Sequence, residues 1–251
     1  DTSAAQISKQ LISQYFDIYR INSTQNPIDI ILADIFKAVI IDMMLVGNRA
    51  FEICKNIKDK FPQMPVFIVS PIYSEDAKLE TLKSGAEDYI TKPFNLDLFI
   101  TRLRYAIKTK DDLDQLISRN KNFDFTVLAN NKMVFADTNI ILIDDDIAES
   151  NYIKEILEDK VSSLCIIENL DEITEEVIKQ SEVVIASGYL ISNFGVEICS
   201  KIKNDTRFNE KSFMLLVAQD DDDLLNEAYK AGINEFATTP LNGETFLIKL
   251  R

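Results

Sequence analysis

Histidine is missing from all 251 residues of this chain. That excludes Ser-His-Asp and Cys-His catalysis, histidine-ligated zinc, and a phosphohistidine formed on these residues. Cysteine is scarce as well. Cys54, Cys165 and Cys199 have no metal-type spacing, and an odd, scattered set suits a reducing compartment, so a cytoplasmic location is expected. There are only six glycines, and no Gly-rich loop follows a first strand, which argues against flavin or nucleotide binding. No apolar run approaches the roughly 18 residues of a membrane span, and the N-terminal residues lack the basic flank and apolar core of a signal peptide. Basic residues are outnumbered, 27 Lys and Arg against 41 Asp and Glu, for a formal charge of -14. Phosphate contacts need clustered Lys and Arg, so neither nucleic acid nor membrane is an expected partner. Chemistry is left to carboxylates, hydroxyls and lysine.

What the chain does have is a repeated alternation. Short apolar, β-branched runs alternate with helix-period segments, the pattern of parallel sheets flanked by helices. In the first half, strands are predicted near 17–21, 38–42, 65–70 and 87–91, with helices near 3–14, 26–35, 48–60, 75–84 and 95–118. In the second half, strands are predicted near 138–143, 163–168, 182–187, 213–217 and 234–238. Helices there fall near 147–158, 172–180, 194–204, 221–231 and 242–250.

The halves are copies. Residues 51–58, FEICKNIK, match residues 196–203, VEICSKIK, and Lys83-Ser84-Gly85 and Thr91-Lys92-Pro93 match Lys230-Ala231-Gly232 and Thr238-Thr239-Pro240. A tandem duplication of one fold follows. The first copy is expected over 1–118, a linker over 119–137 and the second copy over 138–251. The second copy opens with a strand, Asn139–Ile143, and then Asp144-Asp145-Asp146. The first copy has no counterpart to that strand, because Asp1 aligns with Asp145. Its first strand is therefore expected to lie outside these residues, since a parallel sheet without its central strand exposes buried edges.

Ligands bind open parallel sheets beyond the carboxyl ends of the strands. Asp1, Asp42, Ser70 and Lys92 of the first copy all fall at such ends, and Pro93 after Lys92 stops the strand. A carboxylate, a hydroxyl and an ammonium converging there suit phosphoryl chemistry. A hard divalent cation such as Mg²⁺ takes oxygen ligands, which Asp1, Asp42 and the backbone carbonyl of Met44 would supply. Asp42 would attack phosphorus, and Lys92 and Ser70 would hold phosphoryl oxygens.

In order and spacing, Asp42, Ser70 and Lys92-Pro93 resemble response-regulator receiver domains, and the duplication resembles the tandem receiver input of PleD-type regulators. That resemblance implies two CheY-like, flavodoxin-like five-stranded parallel sheets, with Asp42 as phosphoacceptor and Asp1 as second member of an acidic pair. It implies Tyr89 as the aromatic switch residue, and a histidine kinase or phosphotransfer protein as phosphoryl donor. It further implies a homodimer on phosphorylation and a GGDEF diguanylate cyclase output beyond Arg251, with a receiver pair controlling another output, such as a DNA-binding or phosphodiesterase domain, as the alternative. No GGDEF motif occurs in the chain itself, which is expected to have no activity beyond its own phosphorylation and dephosphorylation. Val46 and Ala50 depart from the family, which usually carries Pro and Gly there.

The second copy keeps Asp144 and Asp145 but has Ser187 at the acceptor position, Ala218 at the hydroxyl position and Thr239 at the lysine position. Serine cannot form a phosphoaspartate, so this copy resembles a degenerate receiver serving as dimerisation adaptor. Its acidic run is either a remnant metal site or a helix N-terminal cluster. Simpler readings stand beside these for single residues. Asp42 could be a strand-end cap, Ser70 a local backbone partner, Tyr89 and the Met43–Met44 pair packing groups, and Asp220–Asp223 a helix start. A phosphatase with an aspartyl-phosphate intermediate is the alternative enzyme class, but it needs an aspartate two residues after the nucleophile, where this chain has Met44.

Overall fold

A strand buried on both faces must be apolar along its whole length, and Val66–Ser70 (VFIVS) is buried at every position. In the computed structural model it is the middle strand of a parallel sheet. The residues described are 12–21, 25–31, 36–119, 135–169, 172, 176, 179–188, 211–218 and 222–250. The chain divides into two units, residues 1–131 and 132–251.

In the first unit, β1 (Val39–Asp42), β2 (Val66–Ser70) and β3 (Asp88–Thr91) pair in the order β1-β2-β3, all parallel. Side chains alternate across a strand, so β2 feeds two cores. Val66 and Ile68 pack with Ile57 and Cys54 of the helix Arg49–Lys60. Phe67 and Val69 pack with Phe99, Ile100 and Leu103 of the helix Leu96–Arg119. Pro27–Ile31, Met43–Val46 and Glu75–Lys83 are the remaining helices described in this unit.

In the second unit, β4 (Asn139–Ile143), β5 (Ser163–Ile167), β6 (Val183–Ser187), β7 (Ser212–Ala218) and β8 (Glu235–Thr239) form a five-stranded parallel sheet in the order β5-β4-β6-β7-β8. β4 lies inside the sheet between β5 and β6, and the crossovers diverge on its two sides. Ile140, Leu142, Ile185, Met214 and Leu216 face one core, closed by Ile153 and Leu157 of the helix Ile147–Leu157 and by Phe246 of the helix Gly243–Lys249. The helix Asp222–Ala231 buries Leu224, Leu225 and Ala228. Phe135, inside the span expected to be linker, is buried in this core.

One strand expectation fails. Residues 17–21 are not a strand: Ile18 is 37% and Tyr19 59% exposed, and the Tyr19 ring instead sits 5.7 Å from Phe36. A β-prone run with no buried face and no ladder neighbour has nothing to hold it extended. The first sheet therefore has three strands among the described residues. The repeat helix at 194–204 and the predicted helix at 3–14, up to residue 11, lie outside the described residues. So does residue 1.

Candidate functional site

The three strands of the first sheet end together. Asp42 is in register with Val69, and Ser70 with Thr91, so the residues after β1, β2 and β3 meet at one edge. The backbone amide of Lys92 donates to the Ser70 carbonyl (2.7 Å), which places Lys92 one step beyond β3 and beside Ser70. From there its Nζ reaches the Asp42 carboxylate, donating to Oδ2 at 2.7 Å. The pair is about one-fifth exposed on either side, open enough to meet a solute. The Lys92–Pro93 and Thr239–Pro240 peptide bonds are both cis.

Asp42 has a second engagement. Its Oδ1 accepts from the Met44 amide at 3.0 Å, capping the one-turn helix Met43–Val46. The simple strand-end role is therefore present together with the lysine contact. Gly47 closes that turn with φ 58°, a conformation in which a side chain would be strained. Ala50 is fully buried and packs in the core beneath. Met44 was expected to pack, but its side chain is 57% exposed; Met43 alone of the pair packs against the core. The one-turn helix rotates Met44 outward, which the apolar run in the sequence does not show. Met44 also occupies the place where a phosphatase of this kind needs its acid.

Ser70 and Tyr89 share a partner. Ser70 is 4% exposed; its hydroxyl donates to the Ile72 carbonyl (3.0 Å) and accepts from the Ile72 amide (3.2 Å). Tyr89 is 7% exposed, its ring lies in the core with Ile68 and Ala86, and its hydroxyl donates to the same Ile72 carbonyl at 2.5 Å. A carbonyl has two lone pairs, so both donors can be accommodated. Beneath them, Arg102 pairs with buried Asp88 (2.5 Å), whose other oxygen accepts from the Tyr89 amide (2.9 Å). Neither Ile72 nor the Asp88–Arg102 anchor was foreseen. A backbone carbonyl leaves no mark in sequence, and Asp88 reads there as an ordinary strand-start acid.

The equivalent edge of the second sheet is a cleft of about 660 Å³, lined among others by Asp144, Asp145, Ser187, Ala218 and Thr239. All five positions expected to form a degenerate site are thus brought together. Asp146 is the N-cap of the helix Ile147–Leu157, its Oδ1 accepting from the amides of Ala148 (2.8 Å) and Glu149 (3.1 Å). Asp144 is 1% exposed and accepts from the Asp146 amide (3.2 Å) and the Ser150 hydroxyl (3.4 Å). Burial holds the Asp144 carboxyl above its ordinary range. Burial, with the neighbouring Asp144 and Asp146 charges, pushes Glu149 up to about 7. Asp222 and Asp223 stand in the first turn of their helix, the helix-start role expected of that run.

As to a metal, the Asp42 carboxylate and the Met44 carbonyl are hard oxygen donors of the kind a divalent cation takes, and so fit the ion in kind. Asp1, the remaining expected ligand, lies outside the described residues. No helix among the described residues is long and apolar enough to cross a membrane.

Residues 1–104 match the family model described as the response regulator receiver domain. Among solved structures, the chain is similar to the N-terminal signal receiver domain of a two-component response regulator from Bacteroides fragilis. The two are 23% identical with a TM-score of 0.40, covering 45% of this chain and 93% of that one. It is also similar to the chemotaxis response regulator CheY4 of Vibrio cholerae, at 17% identity and a TM-score of 0.41, covering 45% of this chain and 96% of that one. Likenesses at these TM-scores carry no weight beside the family match.

Proposed function

We propose that the first unit accepts a phosphoryl group on Asp42, as a receiver domain of a two-component response regulator. The observation that carries the reading is the Lys92 ammonium 2.7 Å from Asp42 Oδ2, at an edge where the buried Ser70 hydroxyl also lies. It is supported by the receiver match over residues 1–104.

A carboxylate oxygen of Asp42 attacks the phosphorus of a phosphohistidine or acyl phosphate. The new O–P bond forms as the donor's P–N or P–O bond breaks, and the donor leaves with the electron pair. Lys92 moves from the carboxylate to a phosphoryl oxygen, keeping a cation against the charge that has transferred. Ser70 turns its hydroxyl from the Ile72 carbonyl to another phosphoryl oxygen. Tyr89 then becomes the remaining side-chain donor to Ile72 of these two, which holds the loop after β2 in one of its arrangements. A bound Mg²⁺, held by Asp42, the Met44 carbonyl and Asp1, would offset negative charge on the phosphoryl oxygens.

With Ser187, Ala218 and Thr239 in place of the reactive groups, the second unit serves as an adaptor rather than an acceptor. Phosphorylation of the first unit favours a homodimer through the pair, which controls an output of the diguanylate cyclase type. The donor is a separate histidine kinase or phosphotransfer protein.

The test is intact-mass spectrometry after acetyl phosphate and MgCl₂, with light scattering on the beryllofluoride-treated protein. The wild-type chain is expected to gain one phosphoryl mass and to shift toward dimer. Asp42→Asn is expected to do neither. Labelling that persists in Asp42→Asn removes the assignment.

A further inference from the structure

In the first unit, the carboxyl edge of the sheet supplies its own counter-charge: Lys92 neutralises Asp42 across 2.7 Å. The second unit has the same edge without the lysine. Asp144, Asp145, Asp146 and Glu149 line the cleft there, and none of the described residues lining it is cationic. A concentration of one charge sign in a recess attracts a mobile counter-charge.

Ser187 brings a polar group of a different kind to the same recess. It lines the cleft, is 7% exposed, and among the described residues its hydroxyl has no hydrogen-bond partner. A hydroxyl that lines a recess without a protein partner is open to a donor or acceptor from a solute. The walls add a third requirement. Leu216 and Leu224 are apolar, and about 660 Å³ is the size of a small-molecule site rather than of a bare ion. Among the described residues no group of three or more acidic side chains is arranged to hold a metal ion.

We infer that the second unit's cleft binds a small organic cation, an aliphatic amine or guanidinium compound, its charged head between Asp144 and Ser187 and its carbon body along Leu216 and Leu224. An N–H of the head donates to the Ser187 hydroxyl, which no described residue meets with a donor, and the carboxylates take the remaining N–H groups. The site stands independently of phosphoryl chemistry in the first unit.

The whole ¹⁵N-labelled chain is titrated with putrescine and agmatine, with butanediol as the uncharged control and MgCl₂ as the metal control. Both amines are expected to give saturable, one-site shifts at the amides of Asp144–Glu149 and Ala186–Gly188, with Kd at or below the millimolar range, while butanediol is silent. Thr239→Lys, which supplies an internal ammonium, is expected to weaken binding by about tenfold or more. Asp144→Asn, which removes a charge at constant shape, is expected to do the same, so that misfolding of one variant leaves the other to decide. Shifts that never saturate, that persist unchanged in both variants, or that follow MgCl₂ and not the amines overturn the proposal.

Discussion

At the scale of single residues, one carbonyl holds two hydroxyls. Ser70 and Tyr89 both donate to Ile72, from β2 and β3 respectively. Removing the Tyr89 hydroxyl leaves the carbonyl served by Ser70, so no buried acceptor is stranded, and the cost is that of one ordinary hydrogen bond. Tyr89→Phe is therefore expected to lower stability by about 0.5–1.5 kcal/mol, read as a lower urea midpoint at unchanged slope. Because the Tyr89 hydroxyl bonds Ile72 and not Asp42, the rate of phosphoryl labelling at Asp42 should be unaltered. A labelling defect in Tyr89→Phe would place the hydroxyl in the acceptor chemistry and contradict this division of roles.

At the scale of elements, β2 joins the two cores of the first unit, and its residues carry unequal weight. Phe67 is 2% exposed and meets Phe99 edge-on at 5.9 Å between ring centroids. Phe67→Ala is expected to cost about 3–5 kcal/mol, since it empties a ring-sized volume between strand and helix. Ile40 on β1 looks equivalent in sequence yet is 42% exposed, and Ile40→Ala should cost much less, by about 2 kcal/mol or more, in the same urea titration. That contrast marks how far the sequence could be read. Eight of the apolar runs gave strands within a residue or two, because a buried parallel strand needs an unbroken apolar, largely β-branched stretch and VFIVS, NIILI and VVIAS supply it. The run at 17–21 carries the β-prone Ile18, Tyr19 and Ile21, but Asp17 and Arg20 break it and no neighbour buries it. The meeting of Asp42, Ser70 and Lys92 was legible because strand ends are marked by where apolar runs stop. The turn that exposes Met44, the Ile72 carbonyl and the Asp88–Arg102 pair were not, since each depends on a backbone direction or a long-range contact that spacing does not encode.

At the scale of the whole molecule, the absence of histidine decides how stability responds to pH. The side chain that usually titrates between pH 5 and 8 is missing from all 251 residues. Glu149 takes its place, its carboxyl pushed from an ordinary 4.5 to about 7 by burial and by the facing charges of Asp144 and Asp146. In the interval between these values the native chain binds more protons at this site than the unfolded chain does. Stability conferred by Glu149 therefore falls as pH rises from about 4.5 to about 7 and is flat above that. Full conversion of the shift would be about 3 kcal/mol; Glu149 is partly exposed to solvent, so a loss of about 1–2 kcal/mol is expected. Glu149→Gln keeps the shape and removes the charge. It should raise the urea midpoint at pH 8, change it little at pH 4.5, and flatten the slope between them. A variant with the wild-type slope would mean that the acidic edge of the second sheet does not carry the pH dependence.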